Sequence, residues 1–402
     1  WEYQWGDKTV ERPVPITRIF AQGGEKDADP RARAAPEFTP YFQGEFKRNP
    51  ISNLFPSFDI IFVVGVVFSL LIFLLTYDCV SGEREEGTLR VLLSCAVPRD
   101  AVLAAKWVGG LISVVIPVAA SLTAIALMLV LNPSISIDAD TWLRIGAIAL
   151  LCLLYIAVVF SSSMALSIMS RGSSTAVLVL LLFWVLVIVT IPAMSTPIAH
   201  LAVHPSGPHK TEVHMGRVGV VNWNAWHRRS EKQWLELFGR VEYEELTEEQ
   251  RSKTIELFER NRVPQALFVE GMVDSMVFFG RQATRAYAAV GRTARWIARL
   301  SPYGCLQNAA TSLAGTGLKH ELSLREAMEK YDRAAARCVT GFQRTGAGMG
   351  QFDPYTTPSF QSPRTTLQSG LAEAGLDMFL LVLMGLVFSM LAYLAFLRSD
   401  IA

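Results

Sequence analysis

The chain has 402 residues, and 37 Lys and Arg stand against 36 Asp and Glu for a formal charge of +1, which argues against a nucleic-acid binder reading phosphates with a basic face. Only 18% of residues are charged, against about 25% in an ordinary soluble domain, while hydrophobic residues reach 51%. That is the composition of a membrane protein, and 28 Gly, 19 Pro and 5 Cys exclude a collagen-like chain, a disordered chain and a disulfide scaffold.

Residues 1–56 carry Pro13, Pro15, Pro30, Pro36, Pro40, Pro50 and Pro56 and read as extended loop with one short strand. Five uncharged runs follow: Ile60 to Tyr77, Trp107 to Leu131, Ile145 to Met169, Thr175 to Ala199 and Met378 to Leu397. Each is close to the roughly 20 residues a helix needs to cross a bilayer, where it satisfies its own backbone. Arg84, Arg90, Arg99, Lys106, Arg171 and Arg398 flank one side of these spans and Arg144 alone the other, so the Arg-rich loops are expected in the cytosol. The expected fold is an all-α polytopic membrane protein with a mainly helical extracytoplasmic domain. Its parts are an extracytoplasmic segment 1–56, four transmembrane helices in 57–199 with a cytosolic loop 78–106, an extracytoplasmic domain 200–376, and a last transmembrane helix with a short cytosolic tail in 377–402. An odd span count places the polar beginning outside with no apolar leader core to carry it there, so a further span before Trp1 is expected, making six.

In the outer region, Trp234, Leu237, Phe238 and Val241 have helical spacing, and Thr247 with Gln250 suits a capping box opening a second helix. That helix continues through Ile255 and Phe258 to a stop at Pro264. A third is expected from Gln265 to Leu300, ended by Ser301 and Pro302, and the Gly, Pro, Ser and Thr of Gly341 to Pro363 read as a loop.

The uncharged run cores hold no ionisable group of the kind a proton or ion relay uses, so the driving force must enter from outside the membrane part. The largest cytosolic loop is the place to look. Gly87 interrupts the first helix, Thr88 is a plausible cap, and Leu89, Leu92 and Leu93 give a short amphipathic helix before Pro98. Such a helix either docks in a partner's groove or is a solvated connection.

The run Gly82-Glu83-Arg84-Glu85-Glu86-Gly87-Thr88-Leu89-Arg90-Val91-Leu92-Leu93, with Pro98, Arg99, Lys106 and Gly110 after it, resembles the loop following the second span of type 2 ABC exporter permeases. Ser301-Pro302-Tyr303, the later Ala314-Gly315-Thr316-Gly317 and the large insertion before the last span resemble one branch of that family. The resemblance implies a permease half that forms a homo- or heterodimer and is driven by a separate ATP-binding subunit. Glu83 and Glu86 would face that subunit, Leu89 to Ala96 would be the coupling helix, and Glu85, Arg90 and Arg99 belong to the same contact. No Walker loop occurs, so ATP and Mg belong to the partner and no cofactor is expected in this chain. Transport, not enzymatic catalysis, is the expected role, in a bacterial inner membrane. The alternative is a scaffold or sensor whose outer domain binds a partner.

Three outer features read two ways. His200, His204, His209, His214 and His227 invite a metal, but Pro197, Pro205 and Pro208 interrupt their spacing and polar loop histidines are the simpler reading, so no metal site is assigned. No acid occurs from Ser275 to His320, where Arg281, Arg285, Arg292, Arg295 and Arg299 form one helical stripe suited to lipid phosphates or an anionic substrate group. Pairing with Glu242, Glu244, Glu245, Glu248, Glu249, Glu256 and Glu259 in a hairpin is the plainer account. Cys305 and Cys338 are the one outer cysteine pair and a candidate disulfide. The substrate expected from uncharged spans with hydroxyls such as Ser161, Ser162, Ser163, Ser167 and Thr190 is lipid-like or amphipathic.

Overall fold

A computed structural model describes residues 8–11, 15–23, 31–34, 59–94, 97–133, 137–203, 208–240, 245–345, 358–363 and 365–398. Five helices are long and apolar enough to cross a membrane: α1 (Ile60–Glu85), α3 (Arg99–Leu131), α4 (Ala139–Met169), α5 (Ser173–Val203) and α10 (Leu367–Arg398). They coincide with the five uncharged runs and extend each of them. Between α1 and α3 lies the short helix α2 (Thr88–Ser94), and the segment before α10 folds as α6 (Pro208–Phe238), α7 (Glu248–Ala298), α8 (Pro302–Ala314) and α9 (Leu318–Thr345). The chain is an all-α polytopic membrane protein; a small antiparallel pair, β1 (Lys8–Glu11) and β2 (Arg31–Ala34), precedes the first span with Lys8 opposite Ala34.

The bundle is built around α4, the most buried of the five spans. Ile148, Leu151, Cys152, Tyr155, Ile156 and Phe160 are all shut away from solvent. Its hydroxyls fasten the neighbouring spans. Ser163 hydrogen-bonds Thr76 of α1, Ser161 accepts from Trp107 Nε1 of α3 at 2.9 Å and from Ser389 of α10 at 3.1 Å, and Ser167 donates to the Tyr77 carbonyl at 2.7 Å. Ser162 donates to the Val159 carbonyl of its own helix, and Thr190 of α5 to the Val185 carbonyl. The hydroxyls expected along a permeation path are therefore used inside the bundle, because an apolar surround leaves a polar group no cheaper partner than another helix.

At one end of the bundle, called here the domain end, α8 wedges among the spans. Ser301 accepts from the amides of Tyr303 and Gly304, Pro302 opens the helix and Gly315 closes it at φ +74, a left-handed position open to glycine. Tyr303 lies on Gly65, where a β-carbon would overlap its ring. Val63–Phe68 of α1 is a π-helical stretch, and the Gly65 carbonyl accepts from Tyr155 Oη at 2.6 Å. The segment 15–23 seals this end: Thr17 Oγ1 donates to the Ala314 carbonyl at 2.6 Å, Thr316 Oγ1 to that of Ala21 at 2.8 Å, and the Asp59 carboxylate accepts from the amides of Phe62 and Gln22.

Charge enters the bundle at this same end, just beyond the uncharged runs, so the expectation of spans without ionisable groups holds for the runs but not for the helices that contain them. Asp377 of α10 is 0% exposed. Arg299 reaches it with Nε at 2.7 Å and Nη2 at 3.1 Å, Arg295 Nη2 lies at 3.5 Å, Asn308 Nδ2 donates at 3.4 Å, and Arg295 also pairs with Glu373. Arg144 of α4 is nearly as buried; it pairs with Asp140 at 2.7 Å and donates to the carbonyls of Leu313 and Thr365.

The domain helices differ from expectation in two places. α6 begins at Pro208, well before the helical spacing that starts at Trp234, because proline is favoured in a first turn whose amide needs no partner. α7 runs unbroken through Pro264, joining the second and third expected helices. Proline removes one helical hydrogen bond but does not end a helix that packing holds on both sides: Asn261 donates to Gln233 of α6 at 2.7 Å, and Val269, Val273 and Val277 pack with Ala336 of α9. The Thr247–Gln250 capping box is present, and α7 stops just before Ser301 as its sequence signals require.

A buried carboxylate held by two guanidinium groups makes a sharp prediction. Asp377→Ala leaves Arg295 and Arg299 without their shared partner and is expected to lower stability by about 3–5 kcal/mol, whereas truncating the exposed Glu248 costs far less. Thermal unfolding of the purified protein in detergent measures both; equal, small shifts contradict the role given to Asp377.

Candidate functional site: the loop between the first two spans

Four strands of contact hold the segment 78–106 at the end of the bundle opposite the domain. Lys106 of α3 places Nζ 2.6 Å from Glu83 Oε1 and 3.1 Å from the Cys79 carbonyl. Arg84 donates to the carbonyls of Ser170 and Ile168 at 3.1 and 3.2 Å, where α4 ends and its last carbonyls lack helical donors. Glu85 accepts from the Ser173 amide at 3.0 Å, where α5 begins and free amides favour an anion. Ser81 donates to the Tyr77 carbonyl at 2.7 Å. The ends of four spans are thus gathered onto one stretch of chain.

Gly87 then turns the backbone at φ +77 and frees α2 from the line of α1. Thr88, expected as a cap, donates its hydroxyl to the Glu83 carbonyl at 3.2 Å. Leu89 is 2% exposed and belongs to the bundle core, while Val91 at 68% and Leu92 at 37% look outward. The described apolar side chains of α2 are therefore divided: Leu89 roots the helix, and Val91 and Leu92 are presented. Glu86 is exposed, and Glu83 is half-buried by its pairing with Lys106, so of these two acids only Glu86 stands fully open. The side chains of Arg90 and Leu93 and the whole of 95–96 lie outside the described residues. Pro98 opens α3 and Arg99 is exposed in its first turn, donating weakly to the Leu397 carbonyl at 3.5 Å.

The other sequence-derived sites lie at the domain end. Among the described residues, the arginine stripe does not pair with the acids from Glu245 to Glu259; Glu242 and Glu244 lie outside the described residues. The described members of that group from Glu248 onward share a helix with the stripe, and a straight helix cannot fold back on itself. Arg281 instead binds Glu329 of α9 at 2.7 Å, and Arg295 and Arg299 bind Glu373 and Asp377 of α10, so all three have carboxylate partners within the chain. Arg285 and Arg292 are exposed. Cys305 and Cys338 are not joined in a disulfide: Cys305 is buried in the first turn of α8, where its thiol donates to the Arg299 carbonyl, and burial pushes that thiol up to about 12. His200 lies exposed in the last turn of α5, His209, His214 and His227 fall within α6, and His204 lies outside the described residues. Pro197 sits inside α5 and does not break it. Among the described residues no group of three His, Cys, Asp or Glu is placed to hold a metal.

Sequence reasoning missed Arg84, Asp377 and Arg144. Asp377 had a signal, an acid directly abutting an apolar run. Arg84 had none, because its partners are backbone carbonyls 84 and 86 residues away.

Unpinning the loop is expected to loosen it without unfolding the bundle. Lys106→Gln should raise amide hydrogen exchange across 79–94 while exchange in α4 stays at the wild-type rate. A uniform rise, or none, would contradict the pinning described.

A model of the ABC-2 family transporter proteins matches residues 19–401. A search of curated proteins found no significant match. The family match takes in all five spans, the loop and the domain helices, and its members are membrane components of ABC transporters. This chain, an integral membrane protein, belongs to the ABC-2 transporter family.

Proposed function

We propose that this chain is the permease subunit of an ATP-driven exporter, working as a dimer of permease halves with a separate cytosolic ATP-binding subunit docked on α2. In this reading the loop 78–106 faces the cytosol of a bacterial inner membrane and the domain faces outside; the distribution of Arg and Lys over the short loops supports that orientation. The observation that carries the reading is the construction of the loop: a short helix with exposed Val91 and Leu92, rooted by Leu89 and tied through Glu83, Arg84 and Glu85 to the ends of four spans. A push on α2 reaches all four at once. That is what a permease needs from an engine it does not contain.

The substrate class we propose is lipid-like or amphipathic. The uncharged runs offer no fixed charge to a permeating ion, and the buried charges at the domain end are already engaged, Arg295 and Arg299 with Asp377 and Arg144 with Asp140 and the carbonyls of Leu313 and Thr365.

Val91→Asp or Leu92→Asp places a charge in the docking contact. A carboxylate buried without a partner costs several kcal/mol, so co-purification with the ATP-binding subunit and ATP hydrolysis stimulated by amphiphiles should fall on the order of a hundredfold, with thermal stability unchanged. Unaltered association and hydrolysis would refute docking at α2. Stimulation by alkali or metal ions alone would refute the substrate class.

A further inference from the structure

The C-terminal part of α7 carries a surface that stands exposed among the described residues. Trp296 is 62% exposed and Leu300, just past the helix end, 69% exposed. Arg292, one turn before Trp296, is also exposed, and Arg285 lies on the same face two turns further back. At 100° per residue these four positions fall within about 80° of one another.

Their level is fixed independently by two spans. Arg299, whose guanidinium lies 4.4 Å from the centre of the Trp296 ring, is bound to Asp377, and Asp377 directly precedes the uncharged run Met378 to Leu397. Leu300 stands three residues before Tyr303, which rests on Gly65, five residues into the uncharged run of α1. Both anchors put Trp296 and Leu300 at the edge of the apolar layer. Along the chain the order is apolar at Leu300, aromatic at Trp296 and cationic at Arg292, then at Arg285, the order of hydrocarbon edge, interface and phosphate in a leaflet.

We propose that Leu300, Trp296 and Arg292 dock on the phospholipid headgroup layer at the domain end, with a preference for anionic phospholipid. Charge decides between this occupant and a second copy of the chain. A two-fold interface brings a patch against itself, which would set Arg292 and Arg285 against their own counterparts in a stretch with no acid from Ser275 to His320. An anionic headgroup layer removes that conflict. The inference stands on side-chain placement and is independent of export.

The test uses the full chain in lipid nanodiscs and the Trp emission lost on Trp296→Phe. That component should be quenched by phospholipid brominated on its acyl chains and barely by aqueous acrylamide. Brominated phosphatidylglycerol should quench it better than brominated phosphatidylcholine, and Arg292→Gln should reduce that preference by roughly fivefold. A spin label on Leu300→Cys gives a second readout, with oxygen relaxing it more than a water-soluble nickel complex. Quenching by acrylamide without bromolipid, or nickel access at Leu300, would overturn the proposal. So would shielding from both quenchers with Leu300→Cys cross-linking two copies. An unchanged lipid preference in Arg292→Gln would overturn the anionic selectivity.

Discussion

A carboxylate with no access to water must be met by cations and donors or it destabilises everything around it, and Asp377 is such a group. Meeting it fixes the domain end. Arg295 and Arg299 must reach α10, which sets where α7 ends; Asn308 must reach it too, which sets the depth of α8. With α8 at that depth, Tyr303 covers Gly65 of α1, and Thr17 and Thr316 close the segment 15–23 over the top. Arg144 completes the arrangement from α4 by donating to the Leu313 carbonyl at the end of α8. One buried charge thus links the last span, the long domain helix and the wedge between the spans.

The opposite end uses the same physics in a looser form. The carbonyls at the end of α4 and the amides at the start of α5 lack helical partners, and Arg84 and Glu85 supply them. The Lys106–Glu83 pair is partly exposed, so it positions more than it stabilises. Between the two ends, α4 is bonded through Ser161, Ser163 and Ser167 to α1, α3 and α10. A displacement delivered at the loop therefore meets a central helix fastened to its neighbours at several heights.

What the sequence made legible follows from which signals are local. The five spans were readable because lipid demands long uncharged runs, and the capping box at Thr247 and the stop at Ser301 because caps are formed by neighbours in sequence. The start of α6 and the passage of α7 through Pro264 were not readable, since packing against a distant helix decides whether a proline ends a helix or merely marks it. The arginine stripe was visible as a stripe, but its partners lie 48 to 82 residues away on α9 and α10, beyond any periodicity argument. For α2, the length and apolar character were in the sequence, while the split between buried Leu89 and exposed Val91 and Leu92 depended on how Gly87 aims the helix.

Coupling through α2 requires that α2 and the domain lie on opposite faces of a membrane. Sided labelling tests this most directly. With the 5 native cysteines changed to Ala, Val91→Cys and the exposed domain position Leu267→Cys are treated with a membrane-impermeant maleimide in intact cells and in inverted vesicles. The expected result is labelling of Leu267→Cys only from outside intact cells and of Val91→Cys only in inverted vesicles. Labelling of both positions from the same side would contradict the account.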